Sequence, residues 1–250
     1  MLIAGLQKTT LIDYPGKIAA TVFLAGCSFR CPWCYSSELV LPEKIRKQPR
    51  ISEKELFAFL KKRKGLLDGA VLCGGEPTTN KDLPDLIKKI KKLGFLVKLD
   101  TNGSNPKMLE KLIKEKLLDY VAMDIKAPLG AKIQIPKSKF QKKSQIPISK
   151  YQKATGVKVD LEKIKKSIEI IKESGIDYEF RSTVVPGLHS KKDIVQIAKG
   201  IAPARAYFLQ NFRPEKTLNP RFKKLKPYPQ EVLAEIKKEI AKHFSICETR

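Results

Sequence analysis

Short apolar runs alternate with stretches in which apolar residues recur every three or four positions along most of the chain. The short runs are typical of buried parallel strands, and the periodic stretches are typical of amphipathic helices. Six strand-then-helix units predict an α/β fold with a parallel sheet, whose helices lie outside if the sheet curls into a barrel. The predicted strands are Ile18–Leu24, Gly69–Cys73, Phe95–Asp100, Tyr120–Ile125, Tyr178–Val185 and Ala206–Gln210. The predicted helices cover residues 53–64, 83–92, 106–116, 161–173, 192–201 and 229–243.

The length of 250 residues, with 42% hydrophobic residues, suits one globular domain covering residues 1–250. No apolar run approaches the roughly 20 residues of a membrane helix, so we expect no membrane association. The first residues lack the charged start and apolar segment of a signal peptide. We therefore expect a cytoplasmic protein.

The net charge is +24, from 50 Lys and Arg against 26 Asp and Glu, and 41 of the 50 basic residues are Lys. Nucleic-acid readers favour Arg, whose planar fork pairs with guanine and phosphate. The excess of Lys therefore indicates first a solvated surface and second an acidic protein partner. Nucleic acid is the weakest of the three alternatives.

One segment interrupts the alternation of strands and helices. Residues 134–142 (QIPKSKFQK) recur as residues 145–153 (QIPISKYQK), and residues 131–153 carry seven Lys and no acid. The prolines and the charge predict an exposed Lys-rich loop inserted at about 131–153. This loop is either a local duplication or a docking element for an acidic partner or nucleic acid.

Three of the five cysteines form a C-x3-C-x2-C pattern at Cys27, Cys31 and Cys34. Three thiolates on one loop can hold three irons of a [4Fe–4S] cluster and leave the fourth iron open. Zinc is an alternative, with Cys73 or His189 as fourth ligand, and cysteines that only pack are another. Cys73 and Cys247 are otherwise expected to be bystanders.

The segment that ends in this cysteine loop resembles the radical S-adenosylmethionine (SAM) superfamily. It is most similar to activases of glycyl radical enzymes, especially the anaerobic ribonucleoside-triphosphate reductase activating proteins. The match runs through GLQKTTLIDYPG at residues 5–16 and VFLAGC at residues 22–27. The later motifs GGEP, DTNG, DIK and VVPG begin at residues 74, 100, 124 and 184, in the order of the family. The resemblance covers about residues 5–215, apart from 131–149.

The resemblance implies a partial (β/α)6 TIM-like barrel of the radical SAM type. It also implies that Cys27, Cys31 and Cys34 hold a [4Fe–4S] cluster, whose open iron binds SAM. Reductive cleavage of SAM to a 5′-deoxyadenosyl radical would follow, with flavodoxin or ferredoxin as electron donor. The partner and protein substrate would be a glycyl radical enzyme such as anaerobic ribonucleotide reductase. The implied cofactor contacts are Trp33, Tyr35, Gly75, Glu76, Asp100, Thr101, Asp124 and Lys126.

In pyruvate formate-lyase activases, the matching positions hold a monovalent cation beside the cofactor. The ligands here would be the side chains of Asp100, Thr101 and Asp124 and the carbonyl of Ala122. Two ionised aspartates need a counter-charge, which could come from such a cation or from Lys126. Arg181 is expected to serve the structure rather than the site.

Further residues depart from the family or lack a motif. Phe212 stands where formate-lyase activases have a cofactor-contacting His, so Gln210 or Asn211 would have to remake that contact. His189 and His243 are expected to be ordinary polar residues.

Two other functions stay open at this point. One is a radical SAM enzyme that acts on a small molecule or an RNA base, and the other is a zinc-stabilised RNA-binding module.

Overall fold

The computed structural model describes residues 1–130 and 149–250, in which eight strands form one sheet in sequence order. The strands are β1 (Ile3–Thr10), β2 (Ala19–Leu24), β3 (Gly69–Gly74), β4 (Leu96–Thr101), β5 (Tyr120–Asp124), β6 (Asp177–Val184), β7 (Ala204–Asn211) and β8 (Phe244–Thr249). The helices are α1 (Ser37–Val40), α2 (Pro42–Ile45), α3 (Glu53–Lys62), α4 (Leu83–Lys92), α5 (Pro106–Lys114), α6 (Lys150–Thr155), α7 (Leu161–Glu173), α8 (Lys191–Ile201) and α9 (Gln230–Ile240). Three short 3₁₀ helices cover Pro77–Thr79, Pro220–Lys224 and Ala241–His243.

Strands β2 to β8 run parallel, and β1 alone is antiparallel to its neighbour β2. A parallel sheet needs helical crossovers, and α3, α4, α5, α7, α8 and α9 supply them between successive strands. The order β1 to β8 leaves an open sheet, so the barrel is partial. This confirms the predicted α/β class and the partial barrel. All six predicted strands and all six predicted helices are present, with small shifts at their ends.

Two strands and three short helices escaped prediction. β1 contains Gly5 and has a polar second half in which Gln7, Lys8 and Thr9 are exposed, so it shows no apolar run. β8 follows α9 after only a 3₁₀ turn, and Cys247 is its one buried residue. Both strands lie at the ends of the sheet, where only one side is paired and the hydrophobic signal is weak.

Helix α3 begins at a capping box. Ser52 Oγ accepts from the amide of Glu55, whose carboxylate accepts from the Ser52 amide at 2.8 Å. This reciprocal capping begins α3 where the sequence predicts it. The main hydrophobic core fills the space between the sheet and these helices. In the described ranges, every helix is too short or too polar to cross a membrane.

The expectation of an exposed loop at 131–153 is wrong at its C-terminal end. Residues 150–155 form α6, which Ser149 caps, and the side chain of Tyr151 is fully buried. Lys150 pairs with the buried carboxylate of Asp193. Tyr151, near the end of the second repeat unit, therefore belongs to the core, and residues 131–148 of the predicted loop lie outside the described residues.

Candidate functional site

The C-terminal ends of the parallel strands surround a cavity of about 480 Å³. Side chains that follow consecutive strands meet at such an edge, although they are far apart in the chain. Ten of the predicted site residues lie in the wall of this cavity. They are Cys27, Cys31, Trp33, Cys34, Tyr35, Gly75, Asp100, Thr101, Asp124 and Lys126. Glu76 and Ala122, which were also predicted, are not part of this wall.

The cysteine loop follows β2 and is held by its own apolar and polar anchors. Phe29 and Trp33 are 3% and 5% exposed, and burying each ring contributes about 1.5–3 kcal/mol. Arg30 Nη1 donates to the carbonyls of Cys27 and Phe29, both at 2.7 Å. The amide of Cys34 closes a turn onto the carbonyl of Cys31 at 3.0 Å. These contacts shape the loop around the cavity.

Burial raises the pKa of the Cys27 thiol to about 11 and that of Cys31 to about 12, and it raises the pKa of Cys34 as well. The positive charge of Lys126 opposes this effect at all three thiols. Without iron the thiols are therefore protonated at neutral pH, and binding iron must release protons.

The backbones after β2 and β3 lie in direct contact. The amide of Gly75 donates to the carbonyl of Leu24 at 2.8 Å, and the amide of Glu76 donates to Gly26 at 2.7 Å. A Cβ atom on Gly75 would lie 2.0 Å from the carbonyl oxygen of Gly26. Only glycine fits at position 75, and this contact determines where the cysteine loop begins.

Glu76 supports the site from behind the wall instead of lining it. Its side chain is 1% exposed and accepts from the amide of Thr78 at 3.1 Å, Thr101 Oγ1 at 2.8 Å and the amide of Asn102 at 2.6 Å. The hydroxyl of Thr78 is a fourth donor. Burial raises the pKa of Glu76, and these hydrogen bonds oppose the rise. The carboxylate thus ties the end of β3 to the end of β4, and its side chain does not line the cavity.

We expect Glu76→Gln to destabilise the protein by about 1–3 kcal/mol, since one amide NH₂ would face donors that need an acceptor. Equilibrium denaturation at neutral pH measures the effect. The matched control is Glu173→Gln on the exposed end of α7, which should change stability by less than about 0.5 kcal/mol. Equal unfolding midpoints for the two variants would contradict the role assigned to Glu76.

The wall opposite the cysteines is charged. Arg181 bridges Asp100 and Asp124, with Nη1 and Nε each 2.9 Å from a carboxylate oxygen, and Lys126 Nζ contacts Asp124 at 3.0 Å. Lys98, which is 1% exposed, pairs with Asp100. Burial alone would raise the pKa of Asp124, but the charges of Arg181 and Lys126 outweigh it and hold this pKa well below its usual range. Burial would also raise the pKa of Asp100, but the charges of Arg181 and Lys98 outweigh it and lower this pKa, so both aspartates are ionised at neutral pH.

Lys126 occupies a fixed place between the charged wall and the cysteine loop. Its Nζ lies 4.9 Å from the centre of the Trp33 ring, a cation–π contact. Its carbonyl is 2.8 Å from His189 Nε2, while His189 Nδ1 accepts from the amide of Val185 at 3.0 Å. The His189 ring is therefore a buried structural link, as expected for an ordinary polar residue.

Several cavity residues were missed or misjudged from the sequence. Arg181 lies in the cavity wall, so the expectation that it serves only the structure is wrong. Asn102, two residues after Asp100, reaches Cys27 Sγ at 3.8 Å, and Arg250 pairs with buried Glu179 at 3.2 Å. For Asn102 the available signal was its place in the DTNG motif, directly after a predicted strand, whereas Arg250 follows β8, which the sequence did not predict. Gln210 and Asn211 do line the cavity, whereas Phe212 is buried elsewhere.

The residues present fit an iron–sulfur cluster with a bound polar ligand. Three thiols from one loop face one space, and thiolates are the ligands that iron–sulfur clusters use. Among residues 1–130 and 149–250, no three His, Cys, Asp or Glu side chains are grouped to hold a single metal ion. Trp33 Nε1 is buried and has no hydrogen-bond partner in the described part of the chain. This donor is available to a ligand in the cavity.

A family model for the radical SAM superfamily matches residues 21–199, which run from within β2 to within α8 and include the cysteine loop and β3 to β6. The chain belongs to the radical SAM superfamily. Members of this superfamily use a [4Fe–4S] cluster and SAM. The match confirms the family that the motifs indicated, and with it the class of enzyme.

Individual relatives agree with this assignment. A Methanocaldococcus jannaschii protein with the provisional name of glycyl-radical enzyme activating enzyme is 34% identical over 234 residues. The match covers 92% of this chain and 87% of that protein. The pyruvate formate-lyase-activating enzyme of Streptococcus mutans is 35% identical over 139 residues, covering 50% of this chain and 51% of that enzyme.

Among solved structures, SuiB of Streptococcus suis bound to SAM superposes with a TM-score of 0.61 at 15% identity, and the match covers 91% of this chain. The chain spans about half of SuiB, 51% of its length. At this identity the likeness shows the fold alone.

Proposed function

We propose that this protein activates a glycyl radical enzyme, using a [4Fe–4S] cluster and SAM bound in the cavity at the C-terminal edge of the sheet. The observation that carries the cofactor chemistry is the meeting of three thiols and a charged wall in one cavity. The substrate class rests on relatives whose names describe glycyl-radical or pyruvate formate-lyase activation.

Cys27, Cys31 and Cys34 would hold the cluster through three of its irons, leaving one position for SAM. When bound, the cluster and SAM supply one-electron chemistry that ends in hydrogen abstraction from the substrate. The loop keeps the thiols in place through Phe29 and Arg30, whose contacts do not depend on iron.

Several chain residues would bind and orient SAM. The backbone at Gly75 carries no side chain, so a ligand can approach it closely. The ring of Trp33, whose N–H has no partner among the described residues, and the ring of Tyr35 offer an aromatic surface for a base. Lys126 and Arg181 present positive charge, which suits a carboxylate. Together these groups match the aromatic and amino-acid parts of SAM.

An acidic one-electron donor, of the flavodoxin or ferredoxin kind, is the proposed reductant. The basic segment, residues 213–226, contains six Lys or Arg and one Glu, and all six basic residues are exposed. It lies against the cysteine loop, with the amide of Asn219 donating to Pro32 at 2.8 Å and the amide of Arg213 to Tyr35 Oη at 2.9 Å. Positive charge beside the cluster loop would attract an acidic partner and raise its rate of association.

The test is hydrogen transfer from a glycyl radical protein, such as the anaerobic ribonucleotide reductase of the same genome. The reconstituted protein, SAM and a reductant are mixed without oxygen with a target protein labelled with deuterated glycine. We expect a glycyl radical signal in electron paramagnetic resonance and deuterium in the 5′-deoxyadenosine that forms. A target in which alanine replaces the radical glycine is the control and should give neither.

Two outcomes would contradict the proposal in different ways. Formation of 5′-deoxyadenosine without deuterium transfer from any glycyl radical protein would favour a small-molecule or RNA-base substrate. A colourless protein that contains one zinc and no iron after anaerobic purification would favour the zinc-stabilised module.

A further inference from the structure

Each of the four carboxylate oxygens of Asp100 and Asp124 already meets a cationic nitrogen. Asp100 Oδ1 accepts from Lys98, and its Oδ2 accepts from Arg181 Nη1 at 2.9 Å. Asp124 Oδ1 accepts from Arg181 Nε at 2.9 Å, and its Oδ2 accepts from Lys126 Nζ at 3.0 Å. Arg181 therefore lies across both carboxylates, in the place that an ion shared by them would need.

The other two expected cation ligands are also engaged. Thr101 Oγ1 donates to Glu76 at 2.8 Å and accepts from the amide of Gly103 at 3.1 Å. Ala122 lies inside β5, which pairs with β4 on one side and with β6 on the other. Main-chain N–H and C=O groups in such a strand form the hydrogen bonds of the sheet. The four groups that would form a monovalent cation site thus do not fit one in this chain.

The charge at this wall also argues against a further cation. Asp100, Asp124 and the buried Glu179, which lies 3.8 Å from Arg181 Nη1, contribute three negative charges, and Lys98, Lys126, Arg181 and Arg250 contribute four positive charges. The Lys98 side chain is 1% exposed, and those of Lys126 and Arg181 are each 12% exposed, so solvent screens them poorly. Another cation would be repelled, whereas an anionic group such as a carboxylate would be attracted.

We propose that Arg181 replaces the monovalent cation in this protein, so that the charged wall works without sodium or potassium. A guanidinium is permanently charged and presents a planar set of donors, which lets it bridge two carboxylates. The inference rests on the proposed function only in taking the cavity as the SAM site. The ion-pair geometry stands without that step.

The first test uses the full-length protein free of iron and SAM. Thermal unfolding is compared in chlorides of sodium, potassium and N-methyl-D-glucamine at equal ionic strength. We expect one midpoint in all three salts. A saturable rise that is specific to sodium or potassium in the wild-type protein would overturn the proposal.

Variants at position 181 are expected to differ in their response to sodium and potassium, depending on whether they keep the positive charge. Arg181→Met removes the bridging charge, so a saturable stabilisation by potassium or sodium should appear. Arg181→Lys keeps a charge and should stay insensitive to the choice of salt. Arg205→Met is the matched control, because Arg205 forms an exposed pair with Asp177 away from the site. A folded Arg181→Met protein with no cation response would overturn the proposal, and if this variant does not fold, the wild-type and Arg181→Lys measurements decide.

The second readout is SAM binding by the iron-loaded protein. The wild-type affinity should be the same in all three salts. Arg181→Met should bind SAM about tenfold more weakly in N-methyl-D-glucamine chloride and recover in potassium chloride, as coupled binding requires. A wild-type affinity that needs sodium or potassium would overturn the proposal. A wild-type protein that binds no SAM in any salt would contradict the proposed function instead, and the iron-free measurement would still decide the role of Arg181.

Discussion

Replacing Cys27, Cys31 or Cys34 by alanine is expected to abolish cluster binding and SAM cleavage in each of the three variants. A site-differentiated cluster depends on all three protein thiolates, and two remaining thiols cannot hold it in place. The fold should survive, because the loop is also anchored by Phe29, Trp33 and Arg30. Iron and sulfide content after anaerobic reconstitution, together with 5′-deoxyadenosine release, measure the effect.

Cys247→Ala is the matched control for these variants. Cys247 is a buried cysteine on β8 that is not part of the cavity wall, so its loss should leave both iron content and cleavage unchanged. Cys73→Ser tests the zinc alternative, because Cys73 does line the cavity. Retention of a full cluster by any of the three loop variants would refute the ligand assignment.

Gly75→Ala is expected to have the next largest effect, through sterics alone. The new Cβ would lie 2.0 Å from the carbonyl oxygen of Gly26, the residue immediately before Cys27. To avoid this clash, the end of β3 or the cysteine loop must move, which we expect to lower the free energy of unfolding by about 1–3 kcal/mol. The same movement displaces Cys27 and the ligand-facing backbone, so SAM binding should be lost.

The control for Gly75→Ala lies on α8. A Cβ on Gly200 meets no atom within 4 Å, so Gly200→Ala should leave SAM binding unchanged and stabilise the helix by up to about 1 kcal/mol. Denaturation and SAM titration of the iron-loaded proteins compare the two. Equal stability and equal SAM affinity of the Gly75→Ala and Gly200→Ala proteins would contradict the steric argument.

Much of the fold could be predicted because its signals are local. The apolar runs of β2 to β7 and the capping box of Ser52 can each be recognised from a few neighbouring residues. β1 and β8 could not be predicted, since an edge strand is buried on fewer sides and carries a weaker pattern. Tyr151 was misjudged because a Lys-rich, proline-containing neighbourhood concealed one buried side chain.

At the site, some features depend on the spacing of residues along the chain, and others depend on which distant residues meet in space. The sequence alone determined the three-cysteine loop, the strand-end motifs and the family, since each depends on residues a few positions apart. Only the tertiary structure decided that Glu76 is a hidden anchor and that Arg181 bridges Asp100 and Asp124. Arg181 is separated from those aspartates by 81 and 57 residues. The register of β4, β5 and β6 brings these charges together, and a buried charge must find its counter-charge wherever the fold places one.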